Sequence, residues 1–546
     1  SAASDVYKRQ AIKYILIAVL SLPLAACNFL ETEPYDYLEQ DDIYRTESSC
    51  MAGLAGVYDA LGSLGCYGQN LWADLDAGTD ILVYNRSYGK NYIQISNYNY
   101  NNTDNALKVS WTALYEGINR ANDYISLIEQ RTDAECGGAQ RKAQFLSEAK
   151  ALRAVFYMNL VAFWGEVPLR ITPTYDLKTQ NLKKAPQKEI YAQIISDLEA
   201  AAENCQPASK FDSPGRISQT AAWALLARAY MWEAGYPVYA DTWGKALEYA
   251  KKVKQSGLHR LIPKAQGGYR QYFINLCTNA YDLTYRESLM EVEFYGNGQT
   301  QTNEAGRLGL YLGVTQQSVS DDYAYAYGLY DGTKYLFRLY ENGDDRQWWN
   351  IADYKYVTTN GVVKEMERTT AEKALEDGNA AKWRAKYIPE RPLSRNNSSI
   401  NFPVIRYADV LLMIAECENE VNNGPTTEAL SAINQVRMRS GASIVNLSDY
   451  PDHDSFSKLV QEERTRELCY EVPRRQELRR HGTEYFQKQL NILKDQTLNE
   501  QNKKIGYDLD NVKATPAVNF AQKHIYFPIP QVELNVNTIC GQTDLW

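Results

Sequence analysis

A helical spacing of apolar residues recurs along the chain in adjacent segments, and it constrains the fold more than any other feature. Apolar side chains three or four positions apart share one face of a helix. Alanine at close-packed positions, with aromatic residues beside it, is typical of tetratricopeptide-like helix pairs, here with irregular spacing. The sequence therefore predicts a mainly α protein. The predicted helical segments are Trp111 to Ile125, Ala149 to Phe163, Ile190 to Ala202, Ser218 to Ala234, Trp243 to Ser256, Val410 to Val421 and Thr427 to Arg439.

The helical period fades between about residues 269 and 403. Glycine, asparagine, aspartate and aromatic residues replace it, as in Gly306 to Gly313 and Asp321 to Gly332. We therefore expect an irregular lobe of loops and short strands, inserted into a helical scaffold that covers about residues 105–260 and 404–490. Loops held on a rigid scaffold are frequent positions for binding groups.

Residues 1–26 have the pattern of a cleaved leader. Positive charges at Lys8, Arg9 and Lys13 precede the apolar run Tyr14 to Leu20. This run is too short for a permanent membrane helix, which needs about 20 apolar residues. Residues 1–10 lack a starting Met, and we expect a non-native extension there.

The junction between the leader and the body has the sequence Leu24-Ala25-Ala26-Cys27, which is similar to a bacterial lipoprotein signal. We expect the Cys27 thiol to carry the lipid, because several acyl chains together give stable membrane anchoring. The alternative is an ordinary signal peptide in which Cys27 is incidental. In either case the sequence predicts an exported protein whose body is residues 27–546.

Composition argues against several classes of function. The formal net charge of −9 and the pI near 5.3 argue against nucleic-acid binding, which needs a basic surface. The eight cysteines after Cys27 form no C-x-x-C pair and have no histidine cluster beside them, so neither a disulfide framework nor a zinc site is predicted.

No catalytic motif is present in the sequence. It has no P-loop, no H-E-x-x-H, no G-x-S-x-G and no nucleotide fingerprint, and its four histidines are scattered. We predict no catalytic residue, no cofactor and no metal site. Two catalytic carboxylates at the right separation leave no recognisable pattern in a sequence, so composition alone does not exclude a glycoside hydrolase.

Asp74, Asp76 and Asp80 stand at alternate positions, faintly like a calcium loop. The twelfth position is Asn85 instead of glutamate, so the match is weak. We favour a cluster of turn and helix-capping residues over a calcium site.

Five ordered blocks of sequence resemble the SusD/RagB family of outer-membrane nutrient-binding lipoproteins, over nearly the whole length after the leader. The last block begins with Phe527-Pro528-Ile529-Pro530. The blocks cover residues 147–169, 215–233, 405–418 with the following helix 428–439, 463–480 and 527–537. The resemblance implies a SusD-like fold and a binding protein without enzymatic activity. It also implies a TonB-dependent SusC-like transporter as partner.

The charged residues of these blocks have a structural interpretation. They can form a partly buried ion-pair network that holds the last helix pair together. The residues concerned are Arg406, Glu463, Arg464, Glu467, Glu471 and Arg474.

Tyrosine is unusually abundant, with 42 residues beside 10 Trp and 13 Phe. Sugar rings stack an apolar face on aromatic rings and hydrogen-bond through their hydroxyls, so aromatics mixed with amides and Arg suit a glycan. Residues 70–100 and the irregular lobe have this mixture. The candidate ligand-binding residues are Trp72, Tyr84, Asn85, Arg86 and Tyr88, with Tyr295, Asn297, Arg307 and Tyr311 as a second wall.

Three functions remain open from the sequence. The first is capture of a glycan or oligosaccharide at the outer membrane for delivery to the transporter. The second is capture of peptides by the same architecture, and the third, from another class, is glycoside hydrolysis. The tyrosine-rich segment has its own alternative, an interface with the transporter.

Overall fold

The computed structural model describes residues 43–85, 92–175, 180–295, 305–318, 320–391 and 393–546. The leader, Cys27, Arg86, Tyr88 and Asn297 lie outside the described residues. Among those described, no helix is both long enough and apolar enough to cross a membrane.

Helices dominate the described structure, as the sequence predicts. The scaffold helices before the irregular lobe are α1 (Glu47–Gly62), α2 (Tyr92–Ser96), α3 (Asn105–Gln130), α4 (Ala139–Trp164), α5 (Gln187–Asn204), α6 (Gln219–Ala234) and α7 (Trp243–Gln255). Those in the lobe are α8 (Gly268–Cys277), α9 (Lys334–Leu339), α10 (Gln347–Asn350) and α11 (Thr370–Lys373). After the lobe come α12 (Tyr407–Asn422), α13 (Thr427–Arg439), α14 (His453–Leu468), α15 (Arg474–Arg479), α16 (Thr483–Asn491), α17 (Thr515–Asn519) and α18 (Gln531–Val536).

Local sequence sets the helix ends. The Asp104 side chain accepts a hydrogen bond from the Ala106 amide at 2.9 Å and so caps the start of α3. Ser218 caps α6 in the same way. Helix α4 ends at Gly165, whose φ of +72° suits glycine, and a Cβ there would lie 2.9 Å from the Tyr526 ring.

The scaffold helices pack in chain order. Helices α3 to α7 each contact the next one along the chain, and α1 packs on α3 and α4. Helix α12 then packs directly on α7, although the whole lobe separates them in sequence. The lobe is therefore an insertion into a continuous stack of helices, which is the predicted architecture.

The described residues also contain nine short strands. They are β1 (Leu82–Tyr84), β2 (Val167–Pro168), β3 (Lys184–Ala185), β4 (Ser288–Val292), β5 (Tyr330–Gly332), β6 (Tyr354–Thr359), β7 (Val362–Glu367), β8 (Gly378–Asn379) and β9 (Phe402–Arg406). Strands β4 and β9 pair antiparallel where the lobe begins and ends. Strand β1 pairs antiparallel with β5, so that Tyr84 faces Tyr330 and the segment after α1 is joined to the lobe.

Two scaffold helices are buried on every side. The periodicity predicts one inner stripe on α4 and on α6, yet from Ala151 to Trp164 and from Ala224 to Ala234 every residue is buried. Neighbouring helices therefore cover these parts of α4 and α6 on all sides, and the few polar residues among them are buried too.

The ion-pair network is larger and more deeply buried than the sequence predicts. Arg346 of the lobe is fully buried and pairs with Glu463 at 2.6 Å and Glu467 at 3.0 Å, both on α14. Arg474 pairs with Asp80, which belongs to the segment after α1. The network therefore joins the lobe and both ends of the scaffold, whereas we expected it to hold the last helix pair alone.

Candidate functional site

Three tyrosine rings of the irregular lobe lie side by side. The ring centroids of Tyr311 and Tyr327 are 5.1 Å apart, and those of Tyr325 and Tyr327 are 5.0 Å apart. The guanidinium of Arg395 lies 4.2 Å from the centroid of the Tyr325 ring, and the Tyr327 hydroxyl donates to the Asn396 side chain. Tyr325 and Tyr327 are half-buried, and Arg395 and Asn396 are exposed. We call these five residues the tyrosine surface.

Backbone pairing fixes the surface. Gln316 and Ala326 exchange two backbone hydrogen bonds of 2.9 and 2.7 Å, and the Leu329 amide donates to the Tyr311 carbonyl at 2.9 Å. Alternation along this extended segment brings the rings to one side and buries Ala324 and Ala326 on the other. Backbone hydrogen bonds therefore hold the segment that carries Tyr325 and Tyr327.

Arg307 contacts Tyr311, the most buried ring of the tyrosine surface. Its guanidinium lies 5.1 Å from the centroid of the Tyr311 ring and donates to the Tyr311 hydroxyl at 3.0 Å. It also donates to the Gln69 side chain, and Gln69 in turn donates to Asp74 at 2.9 Å. Burial raises the pKa of Asp74 to about 6, against the hydrogen bonds from Tyr330 and Gln69. This chain of polar contacts ties the lobe to the segment after α1.

Asn85 joins the two predicted walls. Its amide donates to the Leu329 carbonyl at 3.0 Å, and its side chain donates to the Gly328 carbonyl at 2.8 Å and to Asp331 at 3.0 Å. The structure thus brings Asn85, Arg307 and Tyr311 into one region. Residues 86–91, which include two of the predicted ligand residues, continue directly from Asn85.

Trp72 and Tyr84 differ from the expectation. Their exposed fractions are 3% and 2%, and the Trp72 indole donates to the Tyr67 carbonyl at 2.7 Å. The Tyr84 ring packs edge-on against Tyr330 because β1 pairs with β5. Neither ring offers a face to a ligand, so the predicted stacking role does not fit these two positions.

Tyr295 is 61% exposed, but it lines a different cleft, together with Tyr281, Glu293 and Glu390. Tyr311 is only 6% exposed and supports Tyr327 through its ring.

The sequence reasoning missed Tyr325, Tyr327, Arg395 and Asn396. One signal was available, the run Tyr-Ala-Tyr-Ala-Tyr at residues 323–327. A period of two places its tyrosines on one face of an extended segment. Nothing in the sequence alone indicated that residues 395–396 would lie beside them.

The three aspartates that faintly resemble a calcium loop have protein partners. Asp76 accepts the backbone amides of Arg474 and Arg475 at 2.9 and 3.1 Å and so caps α15, while Asp80 pairs with the Arg474 side chain. Within the described ranges, no group of three or more His, Cys, Asp or Glu side chains is arranged to hold a metal ion.

Comparison with known protein families shows to which family the chain belongs. Residues 286–546 match the SusD family, and residues 28–231 match a family described as starch-binding and associating with the outer membrane. The chain belongs to the SusD-like family.

SusD-like relatives match it over most of its length. The SusD-like protein P25 of Formosa agariphila is 27% identical, over 94% of this chain and 95% of its own. A SusD homolog structure from Bacteroides thetaiotaomicron superposes with a TM-score of 0.81 at 26% identity, covering 93% of this chain and 98% of its own. A laminarin-binding SusD-like protein has a TM-score of 0.67 at 23% identity, with 92% and 100% coverage, and shows the shared fold.

Proposed function

We propose that this SusD-like protein binds a glycan or oligosaccharide at the outer membrane and delivers it to a TonB-dependent, SusC-like transporter. The tyrosine surface is the observation that supports a glycan ligand. A solved relative described as laminarin-binding is consistent with this ligand class.

The chemistry of the tyrosine surface suits a sugar. A sugar ring has apolar C–H faces that pack on the half-exposed rings of Tyr325 and Tyr327, and burying that area stabilises the complex. The Arg395 guanidinium and the Asn396 amide supply hydrogen bonds for hydroxyl groups at the edge of the rings. A site of adjacent rings favours glycans over peptides, for which charged groups matter more than stacking.

We assign the chain a binding role and no catalytic one. The relatives reported above are described as SusD-like or by what they bind. The lipid on Cys27 would hold the protein at the membrane, and the helical stack would present the lobe to solvent.

The test removes one ring at a time. Tyr325→Ala and Tyr327→Ala should each weaken binding to a glycan that the parent binds, because each substitution removes one stacking face. A loss of about 1–2 kcal/mol corresponds to a roughly tenfold or larger fall in affinity. Binding is measured by calorimetry or affinity electrophoresis against a polysaccharide panel.

Tyr239→Ala is the matched control, because Tyr239 is 67% exposed and lies between the scaffold helices α6 and α7. It should bind like the parent. If both lobe variants also bind like the parent, the ligand site lies elsewhere. If the parent binds peptides and no glycan, the peptide-binding alternative replaces this proposal.

A further inference from the structure

Two cysteines far apart in sequence are in contact inside the scaffold. Cys50 is in the first turn of α1, and Cys136 is in the turn between α3 and α4, 86 residues later. Both side chains are fully buried, and their sulfur atoms are 3.9 Å apart. Both thiols are free in the structure.

Hydrogen bonds and ion pairs hold the two segments against each other. Arg45 pairs with Glu135 at 2.6 Å, one residue before Cys136. Glu47 pairs with Arg141 at 2.8 Å, and the Tyr124 hydroxyl donates to the Cys50 carbonyl at 2.8 Å. The two cysteines are therefore kept side by side by contacts that do not involve their own sulfur atoms.

We propose that Cys50 and Cys136 form an intramolecular disulfide when the protein folds in an oxidising compartment. The inference rests on the proposed location outside the cytosol, where thiols are no longer kept reduced. A disulfide bond is about 2.05 Å long, so the sulfur atoms must approach by about 2 Å from their present 3.9 Å. Changes in side-chain torsion can supply an approach of this size.

The bond forms by thiol–disulfide exchange with an external disulfide, either a small molecule or an oxidase that carries one. One cysteine thiolate attacks the external disulfide and gives a mixed disulfide and one released thiolate. The second cysteine thiolate then attacks the mixed disulfide and releases the other thiolate. Two electrons pass to the external disulfide, and the two protons of the cysteines are given up.

Thiol–disulfide exchange must take place before Cys50 and Cys136 are completely buried during folding. In the folded protein, burial and the neighbouring thiol raise the pKa of Cys50 to about 12, so its reactive thiolate is scarce there. The bond would then close a loop of 86 residues and restrict the unfolded chain. It would secure α1, the first scaffold helix after the anchored N-terminus.

Peptide mapping tests the pairing. The full chain is isolated from membranes of the expressing cells, alkylated in denaturant without reductant, and digested with trypsin. Residues 46–86 should be recovered joined to residues 132–141, with an alkyl group on Cys66. Cys66→Ser should keep the link, and Cys50→Ala should lose it. Recovery of Cys50 and Cys136 in separate, alkylated peptides, both here and in the refolded sample described next, would overturn the inference.

Refolding separates this inference from the proposed location. The reduced, unfolded protein is refolded with oxidised glutathione, and the same peptides are mapped. A link in both samples supports the inference and the location. A link in the refolded sample alone supports the pairing and contradicts the location, and a link in neither sample overturns the pairing.

Thermal melting gives an independent measurement. Reductant should lower the melting temperature of the linked parent by several degrees and leave that of the double variant Cys50→Ala, Cys136→Ala unchanged. An equal response of the two proteins to reductant would contradict a structural role for the bond.

Discussion

Glu291 is a buried carboxyl group on β4. The Asn401 side chain donates to it at 3.0 Å. Burial raises the pKa of Glu291 to about 7, although hydrogen bonds from Ser288 and Asn401 oppose the rise. A raised pKa means that folding favours the protonated form, so this group lowers stability as the pH rises from about 4.5 to about 7.

Glu291→Gln should therefore change the pH dependence of stability. The amide keeps the size of the side chain and carries no charge to bury. Above pH 8 the variant should be more stable than the parent by up to about 3 kcal/mol, and at pH 4 this gain should vanish. Denaturant unfolding at both pH values measures the free-energy difference.

Glu500→Gln is the control, because the Glu500 side chain is exposed, far in sequence from β4, and its charge is solvated. It should have little effect on stability at either pH. An equal gain at pH 4 and pH 8 for Glu291→Gln would contradict a titration effect and indicate better packing instead.

The sequence predicted which types of residue line the candidate site better than it predicted which individual side chains are exposed. Of the residues predicted to form the two walls of one site, Asn85, Arg307 and Tyr311 lie in one region. The burial of Trp72 and Tyr84 depends on the pairing of β1 with β5, and no local pattern encodes that pairing. Tyr325 and Tyr327 could have been found from their alternation with alanine.

Ion pairs between elements hold the helices of the scaffold together. Asp409 on α12 pairs with Arg228 of α6 at 2.6 Å and with Arg464 of α14 at 2.9 Å. Arg464 also pairs with Glu477 of α15 at 2.8 Å. Although burial disfavours a charge there, Arg464 and Arg480 hold the pKa of Glu477 well below its usual range. One arginine therefore links three helices through two buried carboxylates.

Arg464→Ala should destabilise the protein by about 3–5 kcal/mol, because it removes the shared partner of several buried carboxylates and leaves their charges undercompensated. Chemical denaturation measures the loss. Arg120→Ala provides the comparison, since Arg120 makes partly exposed pairs with Asp59 and Glu116. That variant should lose at most about 1 kcal/mol. Similar losses in the two variants would show that the buried network does not stabilise the scaffold.

The helices were predictable because their signals are local. Apolar spacing, the Ser218 cap and the Gly165 stop are all contained in short windows of sequence. The sequence also predicted the insertion, since the helical period stops and resumes. The extent of the ion-pair network was not predictable, because Arg346 and Asp80 reach it only through the tertiary fold.

At the scale of the whole molecule, the proposed glycan site and the proposed anchor belong to different segments of the chain. The tyrosine surface is on the inserted lobe, while α1 stands at the start of the scaffold and follows the N-terminal segment. Among the described residues no helix can cross a membrane. If the protein is held at the outer membrane, the proposed lipid on Cys27 accounts for its attachment.

Cys27→Ala tests this anchor in the full chain. The variant should lose incorporation of labelled fatty acid and move from the membrane fraction to the soluble fraction, because residue 27 no longer supplies the thiol that carries the lipid. Cys540→Ala is the matched control, since this buried cysteine near the C-terminus should not affect attachment. Both fractions are quantified by immunoblot. A Cys27→Ala protein that remains fully membrane-bound would contradict the lipid anchor and favour an attachment through the transporter or through an uncleaved leader.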